Sequence, residues 1–316
     1  MPLKRLLQFT THYLLLTTSL SAAPNFIPPS NLKCVAALGN TDHLAPALRT
    51  LLLDTADYAP IPEPGPLDWL SSHEEPGQTF PQFYASNFNT PTEDYPNLYL
   101  QPIGPSNLSP ADTELLSTYC TAFFNTPVKT LPTLLVDPNQ VRSRVNQYTA
   151  KPQLHAADIL EVLKQNRPDD AYAVIAYTLT DLYPHETWNF VFGLANLRQS
   201  VGVFSFARYG DPQTDPVLFR QRALKVMSHE IGHMYGLQHC IYYHCLMNGS
   251  NTLDETDKAP MHLCPVCLRK LHSATQFDPL TRYAQLNKFY QTQSLPQAAT
   301  FTQKRLTLLL NSTLEP

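Results

Sequence analysis

The segment from residue 229 to residue 239 constrains this chain more than any other, because its histidines have the spacing of ligands to one metal ion. It reads HEIGHMYGLQH. On a helix, His229 and His233 lie one turn apart on the same face, so their imidazoles can reach a single zinc ion. Glu230 stands beside the first histidine, where its carboxylate can reach a water on the metal without binding the metal itself. The segment therefore predicts a catalytic zinc site with Glu230 as the general base.

The glycine at position 236 predicts where this helix ends. Gly236 comes three residues after His233 and can take the left-handed conformation that terminates a helix and turns the chain. The turn would bring His239 back as a third ligand. Three nitrogen ligands leave one tetrahedral position open for water, which distinguishes catalytic zinc from structural zinc. The short HExxH pattern recurs by chance on charged helix faces, but a chance match does not explain the register of Gly236 and His239.

Four further potential metal ligands follow at once, and they are Cys240, Cys245, Cys264 and Cys267. Four thiolates suit a tetrahedral structural zinc, which would fix the loop that carries His239. The alternative is a pair of disulfides in a secreted chain. Cys34 and Cys120 lack such neighbours, and we expect each to be a small buried hydrophobic residue.

Composition limits the classes of partner. With 316 residues, of which 43% are apolar and 15% charged, the chain can form one large domain or two modest ones with a proper core. A formal net charge of -4 gives no general attraction to phosphate, so we expect no nucleic-acid partner. No stretch approaches the ~20 apolar residues of a membrane-spanning helix, so we expect no membrane span.

The N-terminus leaves the compartment open. Lys4 and Arg5 precede an apolar run over residues 6–20, which is the outline of a secretory signal. Polar residues such as His12 interrupt the run, and Pro24 lies where a cleavage site would need a different neighbour. Residues 1–24 are therefore interpreted as either a leader or a disordered N-terminus, and the chain would be secreted in the first case.

Local patterns predict a mixed α/β (α+β) fold. Ser109 as a cap and Pro110 at the first helical position predict a helix through Phe124. Apolar runs predict strands over residues 128–136 and 171–180, and two runs rich in Val and Phe predict strands over residues 189–195 and 201–209. Helical spacing predicts further helices over residues 46–55, 67–72, 155–164 and 217–235, and another from residue 278. We therefore divide the chain into a Pro-rich segment that packs on the core, a catalytic domain and a C-terminal helix or tail, over residues 25–108, 109–292 and 293–316.

The run from His229 to Cys245, together with Met247 and the last two cysteines, resembles the archaemetzincins, a branch of the metzincin metallopeptidases. The resemblance covers about residues 109–290. It includes three upstream segments, which are Asp181–Pro184, Trp188–Gly193 and Val203–Tyr209. It is weaker at a fourth segment, Leu67–Leu70.

This resemblance implies a fold and a setting for the site. The fold would be a twisted mixed sheet over two long helices, followed by a short zinc-stapled C-terminal subdomain. Met247 would lie in a Met-turn that forms an apolar floor under the zinc. The family also implies aminopeptidase-like activity on small peptides and an intracellular location.

We therefore expect a zinc metallopeptidase with two zinc ions per chain, one catalytic and one structural. A peptide or protein substrate would add as an extended strand to an edge formed by residues 189–195 or 201–209. Tyr243 and His244 are candidates for stabilising the oxyanion. The alternative is a catalytically weak or inactive zinc-binding interaction module that uses the four cysteines. The presence of Glu230 argues against it, because a pure binding site needs no base at that position.

Overall fold

The computed structural model describes residues 26–104 and 108–312. The segment interpreted as a leader or a disordered N-terminus, residues 1–24, lies outside the described residues. Within the described ranges, none of the helices combines the length and the apolar character that crossing a membrane requires.

The strands form a central mixed sheet and a small second sheet. In chain order they are β1 (Asn97–Ile103), β2 (Val128–Thr130), β3 (Ser143–Val145), β4 (Pro152–His155), β5 (Ala171–Thr178), β6 (Asp181–Tyr183), β7 (Gly193–Asn196) and β8 (Val201–Ser205). The central sheet has the order β2-β1-β5-β8-β7, and the small sheet has the order β3-β4-β6. Neighbours in the central sheet are parallel, except that β7 pairs antiparallel with β8. β7 therefore forms one edge of the central sheet.

The predicted strands are in the right places, but all four are shorter than expected, and the one expected over residues 171–180 ends at Thr178. The strand expected over residues 128–136 ends at Thr130, and Leu134 makes only an isolated bridge to Ile103. Pro132 explains the break, because proline has no N–H to donate to a ladder. The strand expected over residues 189–195 begins at residue 193, and the strand expected over residues 201–209 ends at residue 205. The phenylalanine side chains next to these strands pack against other side chains.

The helices surround the central sheet. In chain order they are α1 (Asn31–Leu38), α2 (Pro46–Leu53), α3 (Trp69–Ser72), α4 (Phe80–Ala85), α5 (Pro110–Phe124), α6 (Ala156–Gln165), α7 (Pro216–Met234), α8 (Leu253–Lys258), α9 (Pro265–Thr275), α10 (Pro279–Thr292) and α11 (Pro296–Ser312). α5 begins as predicted, because the Ser109 hydroxyl accepts a hydrogen bond from the Asp112 amide at 3.1 Å.

Two helices cover opposite faces of the central sheet. Successive strand residues point to opposite faces, so Ile175 and Phe204 lie on one side, and Val174 and Val203 lie on the other. The first pair belongs to the same hydrophobic cluster as the buried side of α7, and the second pair packs with α6. The helix that carries the histidines is thus fixed on the sheet along its apolar side.

The Pro-rich N-terminal segment and the last helix pack in the same hydrophobic cluster as α7. Leu51, Leu52 and Phe83 are fully buried in that cluster. Arg305 of α11 is only 1% exposed, and its guanidinium donates to the Leu51 carbonyl at 2.9 Å and to Asp54 at 3.1 Å. This arginine ties the end of α2 to the C-terminal helix.

We expect Arg305→Ala to lower the free energy of unfolding by about 3 kcal/mol, because it removes a buried side chain and leaves the Leu51 carbonyl unpaired. The control is Lys304→Ala, whose ammonium pairs with Asp57 but whose side chain is 58% exposed. That pair should contribute no more than about 1 kcal/mol. Urea unfolding measures both variants, and equal midpoints for the two would contradict the role of Arg305.

Candidate metal centres

The helix α7 begins and ends at residues suited to those positions. The Asp215 side chain caps its start by accepting from the Leu218 amide at 2.9 Å. At its end Gly236 has φ +83, as the sequence predicted, and a Cβ there would also lie 2.8 Å from Phe88 Cβ. Only glycine tolerates both constraints. The turn brings the chain back toward α7 directly after His233.

The imidazoles of His229, His233 and His239 converge, and one ligand nitrogen from each lies within 4.8 Å of the other two. The Nε2 atoms of His229 and His233 are 3.0 Å apart. Two ligands of a tetrahedral zinc, each at 2.0 to 2.1 Å, lie about 3.3 Å from one another. The nitrogens therefore fit a shared cation with little movement.

Hydrogen bonds select the imidazole tautomers. His229 Nδ1 lies 2.9 Å from the Leu246 carbonyl oxygen, and His233 Nδ1 lies 2.6 Å from that of Leu237. A carbonyl oxygen only accepts, so each Nδ1 carries the hydrogen and each Nε2 keeps a free lone pair. Burial lowers the pKa of His229 to about 3 and that of His233 well below its usual value. Both rings are therefore neutral near pH 7, as metal ligands must be.

The third histidine has a carboxylate partner instead of a carbonyl. His239 Nδ1 lies 2.7 Å from Glu75 Oε1, and the Trp69 indole N–H donates to the same oxygen at 2.8 Å. Burial alone would raise the pKa of Glu75, but the hydrogen bond with His239 brings it below the usual value. No sequence pattern predicted Glu75, which lies 164 residues before its partner. The faint resemblance around Trp69 was the one signal in that region.

The Glu230 side chain lies against the edge strand β7. It is only 7% exposed, and burial raises its pKa to about 8. In the part of the chain that the structure describes, its carboxylate accepts no hydrogen bond. A Cβ on Gly193 would lie 2.6 Å from Glu230 Oε1, so the absence of a side chain at that position provides the space for the carboxylate.

The four cysteines that follow the histidines also converge. Their sulfurs all lie within 4.8 Å of one another and are buried. The Cys240 and Cys264 sulfurs are 3.6 Å apart, far longer than the ~2.05 Å of a disulfide, so the structure does not contain the alternative pair of disulfides. Cys34 and Cys120 are buried apolar residues, as predicted.

The charges of this cluster suit a cation. Burial raises the pKa of Cys245 and Cys264, whereas the hydrogen bonds from neighbouring thiols lower that of Cys240 despite its burial. The backbone amide of Cys264 also donates to the Cys245 sulfur at 3.2 Å, which favours a thiolate there. Four buried sulfurs can all ionise only with a metal ion among them, so the donor set fits structural zinc.

Short backbone links join the two centres. Cys240 directly follows His239, and its amide donates to the Met247 carbonyl at 2.7 Å. Leu246, whose carbonyl faces His229, lies between Cys245 and Met247. Met247 is fully buried, and a Cβ on Gly232 would lie 2.5 Å from its sulfur. The Met247 side chain thus packs against α7 at Gly232, in the helical turn that lies between His229 and His233.

Tyr243 and His244 lie against the N-terminal segment. Tyr243 forms an isolated bridge with Pro60, and the His244 amide donates to the Ala59 carbonyl at 3.0 Å. Among the described residues, neither side chain hydrogen-bonds to the three histidines or to Glu230. Nothing in these contacts supports an oxyanion role for either residue.

Comparisons with known proteins identify similar chains. Residues 121–273 match the family model described as Peptidase family M54. Archaemetzincin-2 of Macaca fascicularis and that of Homo sapiens are each 38% identical over 273 residues, which is 75% of this chain and 76% of those proteins. The crystal structure of an archaemetzincin from Methanopyrus kandleri is 26% identical, covers 59% of this chain and 99% of its own, and has a TM-score of 0.49.

Proposed function

Because this chain belongs to the archaemetzincins, a family of zinc metallopeptidases, we propose that it hydrolyses peptide bonds at the site formed by His229, His233 and His239. One observation carries the proposal. The imidazoles of His229, His233 and His239 converge, and the helix that carries the first two also holds the buried carboxylate of Glu230 beside a sheet edge. A zinc-binding module without turnover would need neither that carboxylate nor the edge.

We assign the metals by donor chemistry. The three histidines would hold a catalytic zinc through nitrogen, and the four cysteines would hold a structural zinc through sulfur, which makes two per chain. When bound, the catalytic zinc supplies Lewis acidity, which polarises the scissile carbonyl and lowers the pKa of a water ligand to ~7.

Glu230 would act as the general base in its ionised form, which a zinc cation at the three histidines would favour against the burial that raises its pKa. Its carboxylate takes the proton of the attacking water and then passes that proton to the nitrogen of the leaving amine. Since it accepts no hydrogen bond from the described residues, both oxygens are free for this transfer. Its burial also excludes bulk water, which strengthens its interaction with a developing charge.

The substrate would bind as an extended strand on β7. Of the two strands that the sequence left open, β8 lies between β5 and β7, so only β7 has a free edge. The Phe192 carbonyl accepts from the Ser205 amide of the neighbouring strand at 2.9 Å. Inward and outward pairs alternate in an antiparallel ladder, so the backbone groups of Gly193 and Ala195 face outward. A peptide paired there would pass beside Glu230.

Mapping the new N-termini of a cleaved peptide library tests this function. Zinc-loaded enzyme should release products, a chelator should stop the release, and added zinc should restore it. Loss of single residues from the amino end would support the aminopeptidase-like action that the family resemblance implies. Internal cuts would contradict that finer assignment and leave the peptidase assignment in place, whereas no cleavage of any peptide would contradict both.

We expect Gly193→Ala to lower kcat by about 10²-fold, because the added methyl overlaps the Glu230 carboxylate and displaces it by about an ångström. Zinc content should not change. The control is Leu194→Ala, whose side chain packs in the cluster on the opposite face of the same strand. A Gly193→Ala enzyme with wild-type kcat would show that Glu230 does not lie against β7 during turnover.

A further inference from the structure

A segment far from the histidine motif takes part in the histidine site. Glu75 bonds to Nδ1 of His239 through Oε1, whereas the other two histidines use backbone carbonyls for the same purpose. Both side chains of this pair are 19% exposed. Such shielding makes the interaction stronger than that of a surface pair, which water and salt would screen.

Glu75 is itself held in place by Trp69. The indole N–H donates to Glu75 Oε1 at 2.8 Å, and the ring stacks on His73 at 3.6 Å between centroids. The Trp69 backbone amide donates to the Glu255 carboxylate at 2.9 Å, and a Cβ on Gly249 would lie 2.5 Å from the indole. The tryptophan is therefore fixed against the turn that follows Met247, and its indole N–H fixes the position of the Glu75 carboxylate.

The same segment also hydrogen-bonds to the turn between His233 and His239. The Gln78 side chain donates to the Gly236 carbonyl and accepts from the Gln238 amide, each at 3.2 Å. The Gln78 carbonyl accepts from Lys270 of α9, which begins between Cys264 and Cys267. Residues 69–78 thus contact the chain just before His239, and they touch the helix that follows the cysteine cluster.

We propose that Glu75 is a positioning residue for the third zinc ligand, and that the 69–78 segment is part of the catalytic centre. The inference rests on the proposed zinc site. The carboxylate holds the hydrogen of His239 on Nδ1 and orients the ring, so that Nε2 faces the other two histidines. A carboxylate partner also makes an imidazole a more basic ligand than a carbonyl does. The segment lies outside residues 121–273, which match the family model.

Zinc affinity tests the proposal without relying on turnover. In Glu75→Ala, the dissociation constant of the histidine site should rise by about 10- to 100-fold, as measured by competition with a chromophoric chelator on the full chain. The cysteine site should keep its zinc. Glu75→Gln retains the shape and one acceptor oxygen, so a smaller rise is expected, and this variant serves if the alanine variant does not fold. Glu74→Ala, at the exposed neighbouring position, is the matched control and should bind zinc as the wild type does.

Cobalt provides a second readout. With Co²⁺ at the histidine site, a change in the visible spectrum of Glu75→Gln but not of Glu74→Ala would show an altered ligand geometry. Wild-type affinity and spectrum in both Glu75 variants would overturn the positioning role, while the peptidase assignment would stand if those variants still cleave. A wild-type chain that binds no zinc at the histidines would overturn this inference together with the proposed function.

Discussion

Glu230→Gln is expected to lower kcat/KM for a peptide substrate by about 10²- to 10⁴-fold, the usual contribution of a general base. The amide has the shape of the carboxylate but cannot take a proton from water. The fold should not suffer, because burial already raises the pKa of Glu230 to about 8 and a neutral group is cheaper to bury at that position. Steady-state cleavage of a fluorogenic peptide measures the effect.

Three controls make this result specific. The zinc content of Glu230→Gln should equal that of the wild type, since the carboxylate is not among the converging ligand atoms. Its thermal midpoint should not fall. Glu114→Gln, at an exposed position on α5, should keep full activity. Equal rates for the wild type and Glu230→Gln would rule out a base at this position.

Cys264→Ala is expected to reduce the zinc content from two ions to one and to lower the free energy of unfolding by more than about 4 kcal/mol. The substitution removes one of four buried sulfurs, and three thiolates no longer complete a tetrahedral site. The remaining sulfurs then lie buried without a cation. Metal analysis and denaturant unfolding measure the two effects.

Activity should also fall in Cys264→Ala, because the loop over residues 240–247, which carries two of the four cysteines, supports the histidines. His239 directly precedes Cys240, and His229 bonds to the carbonyl of Leu246 in the same loop. The matched control is Cys34→Ala, a buried cysteine outside the cluster, which should keep two zinc ions and lose only about 1 kcal/mol. One zinc per wild-type chain with no titratable thiols at the four cysteines would contradict the site and support disulfides.

Much of the metal chemistry could be predicted because it is local. Within a helix, residues four apart share a face, so the spacing of His229 and His233 is enough to bring their rings together. The end of the helix at Gly236 follows from the conformation that glycine permits. The first residues of β2, β5 and β8 were also predictable, whereas the first residue of β7 and the strand lengths were not, because apolar side chains next to a strand pack in the core as those within it do.

Which strand presents an edge depends on the order of strands, and that order is not visible in a single apolar run. The runs over residues 189–195 and 201–209 are both rich in Val and Phe, yet only the folded sheet places β7 outermost and sets Gly193 against Glu230. β6 was not predicted for a different reason, because its three residues are too few to form a recognisable pattern.

By itself the amino-acid sequence predicted the groups of histidines and cysteines that converge and the turn at Gly236, because each depends on residue types and on short spacings. Only the tertiary structure decided which of the two strands lies at the edge of the sheet and that Glu75 pairs with His239. Those contacts join residues far apart in the chain, and the packing of the whole core, rather than any local conformational preference, brings them within hydrogen-bonding distance.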